Sequence, residues 1–109
     1  MKIAFTTKSK GWDSAMDPRF GRTQFVLLYD EEKDELSHYD NRDMAKDAHG
    51  AGPKMAQKLF ELNPGVLITG NGPGGNAAAV LEKTGIVIIA GAKDMTAKEA
   101  YDKFKKDEL

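Results

Sequence analysis

Apolar residues change their spacing near the middle of the chain, and the change separates two kinds of element. From Lys2 to Thr7 (KIAFTT), Ile3 and Phe5 alternate with smaller residues, the period of a strand. Gln24 to Asp30 (QFVLLYD) predicts a second strand, and Glu35 to Tyr39 a weaker third, Leu36 and His38 alternating with Ser37 and Tyr39. Only the charged turn Glu31 to Asp34 separates these two, which predicts an antiparallel hairpin. Met55, Ala56, Leu59, Phe60 and Leu62 then recur as one broad helical face, with Pro53 in the first turn and Asn63-Pro64-Gly65 as the stop. Val66 to Thr69 predicts a short buried strand, followed by a glycine-rich turn and a helix over about residues 77–83. Gly85 closes that helix where a left-handed residue is wanted. Ile86 to Ala90 is continuously apolar, the pattern of a strand covered on both faces. Thr96 and Glu99 have the spacing of a capping box for a last helix with Ala97, Ala100, Tyr101 and Phe104 inward.

This order predicts an α/β fold: a mixed five-strand sheet with helices on both faces, in one domain over residues 1–109. The expected core includes Met55, Leu59, Val66, Ile68, Ile86, Ile88 and Phe104. If the second strand alone runs antiparallel, segments 8–22, 40–52, 70–76 and 91–95 all leave the sheet at one edge. Open α/β sheets bind ligands outside such carboxyl ends.

Composition narrows the function classes. At 40% hydrophobic and 30% charged residues the chain reads as soluble and globular. A net charge of −1 gives no general attraction for nucleic acid or an acidic membrane, so neither is an expected partner. The absence of cysteine excludes a disulfide, a thiolate nucleophile and a cysteine-held metal, and suits the cytoplasm, the expected location. The opening MKIAFTTKSKGW has too short an apolar run for a signal peptide or a membrane span. The closing KDEL spells a retention address of the endoplasmic reticulum, but without a secretory signal it is expected to be a charged helix tail.

Three constellations sit on the shared edge. TGNGPGGN, Thr69 to Asn76, offers backbone donors from Asn71, Gly72 and Gly74 to an anion at a helix start. It lacks the Lys-Ser/Thr of a P-loop, and a tight strand-to-helix turn explains the glycines equally well. In Asp17-Pro18-Arg19-Phe20-Gly21-Arg22, two guanidiniums flank a fixed turn and could clamp an anion, or Phe20 could anchor the loop with both arginines solvated. Asn41 and His49-Gly50 form the third, His49 being a candidate for a single metal bond or a hydrogen-bonding loop histidine. Catalysis finds little support. A ribonuclease H-type nuclease needs a carboxylate on its first strand, which KIAFTT lacks, and no H-E-x-x-H helix is present.

Taken together, KIAFTT, RFGRTQFVLLYD, the lone Asn41, HGAGPKMAQKL, VLITGNGPGGNAAAVLEKTGI and VIIAGA resemble the dinitrogenase iron–molybdenum cofactor biosynthesis family over nearly the whole chain. The resemblance implies a ribonuclease H-like three-layer fold. It also implies a non-catalytic carrier of an iron–sulfur or iron–molybdenum type cluster or its precursor, with a protein partner in cofactor assembly. Positions matching the family pattern are Phe20, Gly21, Arg22, His49, Gly50, Gly52, Gly70, Gly72 and Pro73. Carriers of the family often place a histidine before the Phe-Gly pair, where this chain has Arg19. That leaves His49, Met16, Met44 and Met95 as nitrogen or soft donors near the edge. The resemblance thus directs attention to Arg19, Phe20, Gly21, Arg22, Asn41, His49, Gly50, Asn71, Gly72 and Gly74 as cofactor-binding, and to His49 as the metal ligand. The alternatives are a small-anion or nucleotide-binding module built on the glycine turn, and a partner-binding domain with no ligand of its own.

Overall fold

The computed structural model describes residues 1–45, 51–72 and 75–109. Five strands, β1 (Lys2–Thr7), β2 (Phe25–Asp30), β3 (Glu35–Asp40), β4 (Val66–Ile68) and β5 (Val87–Ile89), form one sheet in the order β3-β2-β1-β4-β5. β2 is antiparallel to both β1 and β3, while β4 runs parallel to β1 and β5 parallel to β4. The first, third, fourth and fifth strands therefore share a direction, and their following loops leave at one edge, as the sequence predicts.

Alternation along the central strand supplies both cores. Ala4 joins Val26 and Leu67 beneath Met55, Ala56 and Leu59 of α2 (Ala51–Leu62) and Leu81 of α3 (Gly75–Glu82). Ile3 and Phe5 join Leu27, Val66 and Ile68 against Ala97 and Ala100 of α4 (Ala97–Lys105). Burying a side chain such as Phe5 or Leu59 fully contributes about 1.5–3 kcal/mol, and both are wholly inaccessible. Met55, Leu59, Val66, Ile68 and Ile86 are buried as expected, and Ile88 and Phe104 pack partly buried at the rims of the two cores.

The local stop and start signals behave as read. Asn63 takes a positive φ of 55° directly after α2, and Gly85 one of 79°. The hydroxyl of Thr96 accepts from the Glu99 N–H while the Glu99 carboxylate accepts from the Thr96 N–H, completing the capping box. Such a cap is worth about 1 kcal/mol.

Three expectations need correction. Ile86–Ala90 is not a strand covered on both faces. β5 is the sheet's edge strand: Ile88 packs partly buried on one core and Ile89 on the other. Val87 is 56% exposed because the cover over its partner Val66 does not extend to it. Phe60 leaves the inner face of α2 and is 57% exposed: a five-residue apolar arc is wider than the stripe the sheet covers. The segment after β3, read as a loop, opens with the short helix α1 (Arg42–Ala45), its start tied by the Arg42 N–H donating to Asp40. Among the described residues, no helix is long and apolar enough to cross a membrane.

Candidate functional site

The loop after β1 dominates the carboxyl edge, and its anchor is a buried carboxylate. Asp17 is fully buried and accepts four hydrogen bonds: from Arg19 N–H, Nε and Nη2 at 3.0 Å each, and from Gln24 N–H at 3.1 Å. Burial alone would push its carboxyl up. The Arg19 guanidinium and the two backbone donors outweigh that penalty and hold it below the ordinary 3.8. Arg19, with its side chain half exposed, is therefore committed to closing its own loop. Phe20 sits in the α2–α3 core at 5% exposure, the anchoring role read for it as the structural alternative.

The remaining predicted residues of this turn also build the frame. Buried Asn41 donates from Nδ2 to the carbonyls of Gly21 (3.1 Å) and Thr23 (2.8 Å), and its own N–H donates to Gln24 O (2.9 Å). It thereby locks the end of β3 onto the arginine turn. Arg22 is partly buried and has an interaction of its own. Sequence reading missed Asp17 as a structural element, although an Asp two residues before an Arg at a proline turn is the pattern of a self-closing loop.

The glycine turn divides into two parts. A Cβ on Gly70 would stand 2.5 Å from the Pro18 Cα and 3.2 Å from the Asp17 carbonyl, so the backbones of two loops meet there and exclude any side chain. The contact is reinforced by Asn71 N–H donating to Pro18 O at 2.9 Å and Gly91 N–H donating to Gly70 O at 2.8 Å. Gly72 is different: the nearest atom to its notional Cβ is Ala90 Cβ, at 4.0 Å, and both Asn71 and Gly72 are exposed. Packing explains Gly70 and leaves Gly72 open. The predicted site residues His49, Gly50 and Gly74 lie outside the described residues.

Across Pro18 from this turn, the β1–β2 and β5–α4 loops enclose a cleft of about 480 Å³, lined by Lys8, Met16, Pro18, Lys93, Met95 and Thr96 among others. Its walls are laced together by Lys8 N–H to Ala15 O (3.0 Å) and Met16 N–H to Met95 O (2.9 Å), with bridges Thr7↔Met16 and Ala15↔Thr96. Met16 and Met95 were expected near the edge. Lys8 and Lys93 were not singled out, though they lie in two of the four segments predicted to converge. Among the described residues, no three His, Asp or Glu side chains are grouped to hold a metal ion.

A mixed sheet with β2 alone antiparallel, loops gathered at the carboxyl edge and a Gly70–Pro18 contact joining two of them define the chain's class. The chain belongs to the dinitrogenase iron-molybdenum cofactor family, which matches residues 1–107. Among solved structures, the apo form of the orange protein from Desulfovibrio gigas is 32% identical with a TM-score of 0.91, covering 98% of this chain and 88% of that one. The NMR structure of a putative NifB protein from Thermotoga is 30% identical with a TM-score of 0.84, covering 99% and 90% respectively. None of the curated proteins matches the chain. The family and these relatives support a cofactor-related binding role.

Proposed function

We propose that this protein is a non-catalytic carrier of an anionic metallocluster, of iron–sulfur or iron–molybdenum type, or of its precursor. The observation that carries this reading is the family match across residues 1–107. The orange protein was solved in an apo form, a term that presupposes a bound group, and this chain shares its fold over nearly its whole length. The cargo binds at the carboxyl edge, where Arg19, Phe20, Gly21, Arg22 and Asn41 build the frame and Asn71 and Gly72 present exposed backbone. His49, Gly50 and Gly74 complete the proposed set, with His49 as the candidate for one bond to metal.

The chain's own chemistry favours a carrier over a redox centre. Ordinary iron–sulfur sites use thiolates for both charge and bonds, and this sequence has no cysteine. Cargo is then held mainly by charge and contact, which makes it exchangeable, and a cytoplasmic partner in cofactor assembly receives it. Anaerobic incubation with a synthetic four-iron, four-sulfur cluster capped by 2-mercaptoethanol, followed by gel filtration and iron analysis, tests this. Iron and sulfide co-eluting with the protein are expected. Elution of protein free of both overturns the reading.

A further inference from the structure

The two candidate cation pairs at the carboxyl edge are not equivalent. Arg19 is closed onto Asp17 by paired hydrogen bonds. Lys8 and Lys93 are exposed on the cleft, and among the described residues neither side chain has a hydrogen bond or ion pair. We infer that the cleft between the β1–β2 and β5–α4 loops is where the cargo docks, and that it selects a soft, weakly hydrated anion over a hard oxyanion. The inference rests on the carrier reading and moves its charge contacts from the arginine turn to Lys8 and Lys93.

Backbone donors decide the chemical class. Phosphate and similar oxyanions are commonly held by free N–H groups at a helix start. Here α4 begins at the cleft, but its first N–H groups are already used. Ala97 N–H donates to Ser14 O (2.9 Å), Lys98 N–H to Trp12 O (3.0 Å) and Glu99 N–H to the Thr96 hydroxyl (3.2 Å). The charged donors of the cleft are the two ammonium groups, and its lining also includes Ala15, Met16, Pro18, Met95 and the Thr96 hydroxyl. An oxyanion would lose water there and gain hydrogen bonds from the lysine ammonium groups, but none from a fixed cradle of N–H groups at the start of α4. A sulfide-surfaced cluster loses less, and the methionine thioethers are polarizable partners for it. The volume falls within the usual range of roughly 300–1,000 Å³ for small-ligand sites, and the bridged walls fix the cleft in advance.

Two acids also line the cleft and bear on its charge. The Glu99 carboxylate is turned back onto the Thr96 N–H at 3.0 Å, whereas Asp94 has no such engagement among the described residues. Asp94 therefore opposes an anion, and its removal should tighten binding. Asp94 has a φ of +63°, a conformation asparagine accepts readily, so Asp94→Asn removes the charge and keeps the loop.

The test is an anaerobic absorbance titration of the full chain with the 2-mercaptoethanol-capped cluster dianion. Lys8→Gln/Lys93→Gln should weaken binding roughly tenfold or more, since unit charges a few ångströms from a dianion act strongly even in a wet site. Lys2→Gln/Lys33→Gln makes the same charge change at the opposite edge and should stay within about twofold, because salt screens beyond about 10 Å. Asp94→Asn should bind more tightly than the wild type, and excess inorganic phosphate should not displace the cluster. Equal weakening by both lysine pairs, or none by the Lys8/Lys93 pair, overturns the cleft while leaving the carrier reading in place. Displacement by phosphate overturns the selectivity. Failure of the wild type to bind overturns the carrier reading and the cleft together.

Discussion

The arginine turn and the lysine cleft meet at Pro18, which belongs to the first and lines the second, at the same sheet edge, each with two cations. In the turn, the nearest carboxylate is fully buried and takes three hydrogen bonds from Arg19 alone. In the cleft, the nearest acids are exposed and the lysines stand apart. The difference shows that a cation pair in a loop acquires its role from what the loop buries. Where a carboxylate is drawn inward, its arginine follows to compensate it. Where none is, the charge stays available to a ligand.

The largest expected effect breaks the turn. Asp17→Ala leaves the N–H groups of Arg19 and Gln24 without their acceptor and should cost about 3 kcal/mol in urea denaturation. A loss below half that would mean the loop holds without its carboxylate. Next comes the contact shared by the two loops. Gly70→Ala places a methyl against the Pro18 backbone, and relief of that overlap should cost about 2 kcal/mol, read from the same denaturation midpoint. An unchanged midpoint would show that the loops separate freely.

A pH series sharpens the comparison further. The folded-state pKa of Asp17 is lowered, so the stability it contributes is present above the ordinary 3.8 and is lost as pH falls below that value through the folded pKa. The stability of Asp17→Asn should therefore fall less steeply than that of the wild type on acidification below 3.8. Parallel curves would remove Asp17 from the acid response. The smallest effect belongs to the cleft: Lys8→Gln/Lys93→Gln should change stability by less than about 0.5 kcal/mol, as expected for unpaired surface charges. A larger loss would mean that the lysines support the fold.

Much of the frame was legible because its signals are local. Period-2 alternation located β1 and β3, the four-residue charged turn set the β2–β3 hairpin, and the Thr96/Glu99 spacing marked the start of α4. The long link from β1 to β2 left their relative direction to the structure. For β3, β4 and β5 direction followed from connection length, since a short link reverses a strand and a helical crossover keeps it parallel. That logic also gathered the loops after these three strands at one edge. Phe60 and Val87 were misread for the opposite reason. Apolar character says that a residue can be buried, but exposure depends on which neighbour arrives, and the layer that buries Val66 stops short of Val87 on the edge strand.

The site divides along the same line. The sequence by itself determined the element order, the edge to which the loops converge, the absence of thiolate chemistry and the family pattern. Only the tertiary structure decided that Gly70 is a glycine because Pro18 lies against it, that Asn41 is a strut, and that Arg19 is already paired. Those facts depend on contacts between segments as far apart as Pro18 and Gly70 or Gly21 and Asn41. Helical period, turn chemistry and caps are properties of neighbouring residues, so a linear reading captures them. Burial and charge pairing depend on which distant segments the sheet brings together, and they exist only once it has formed.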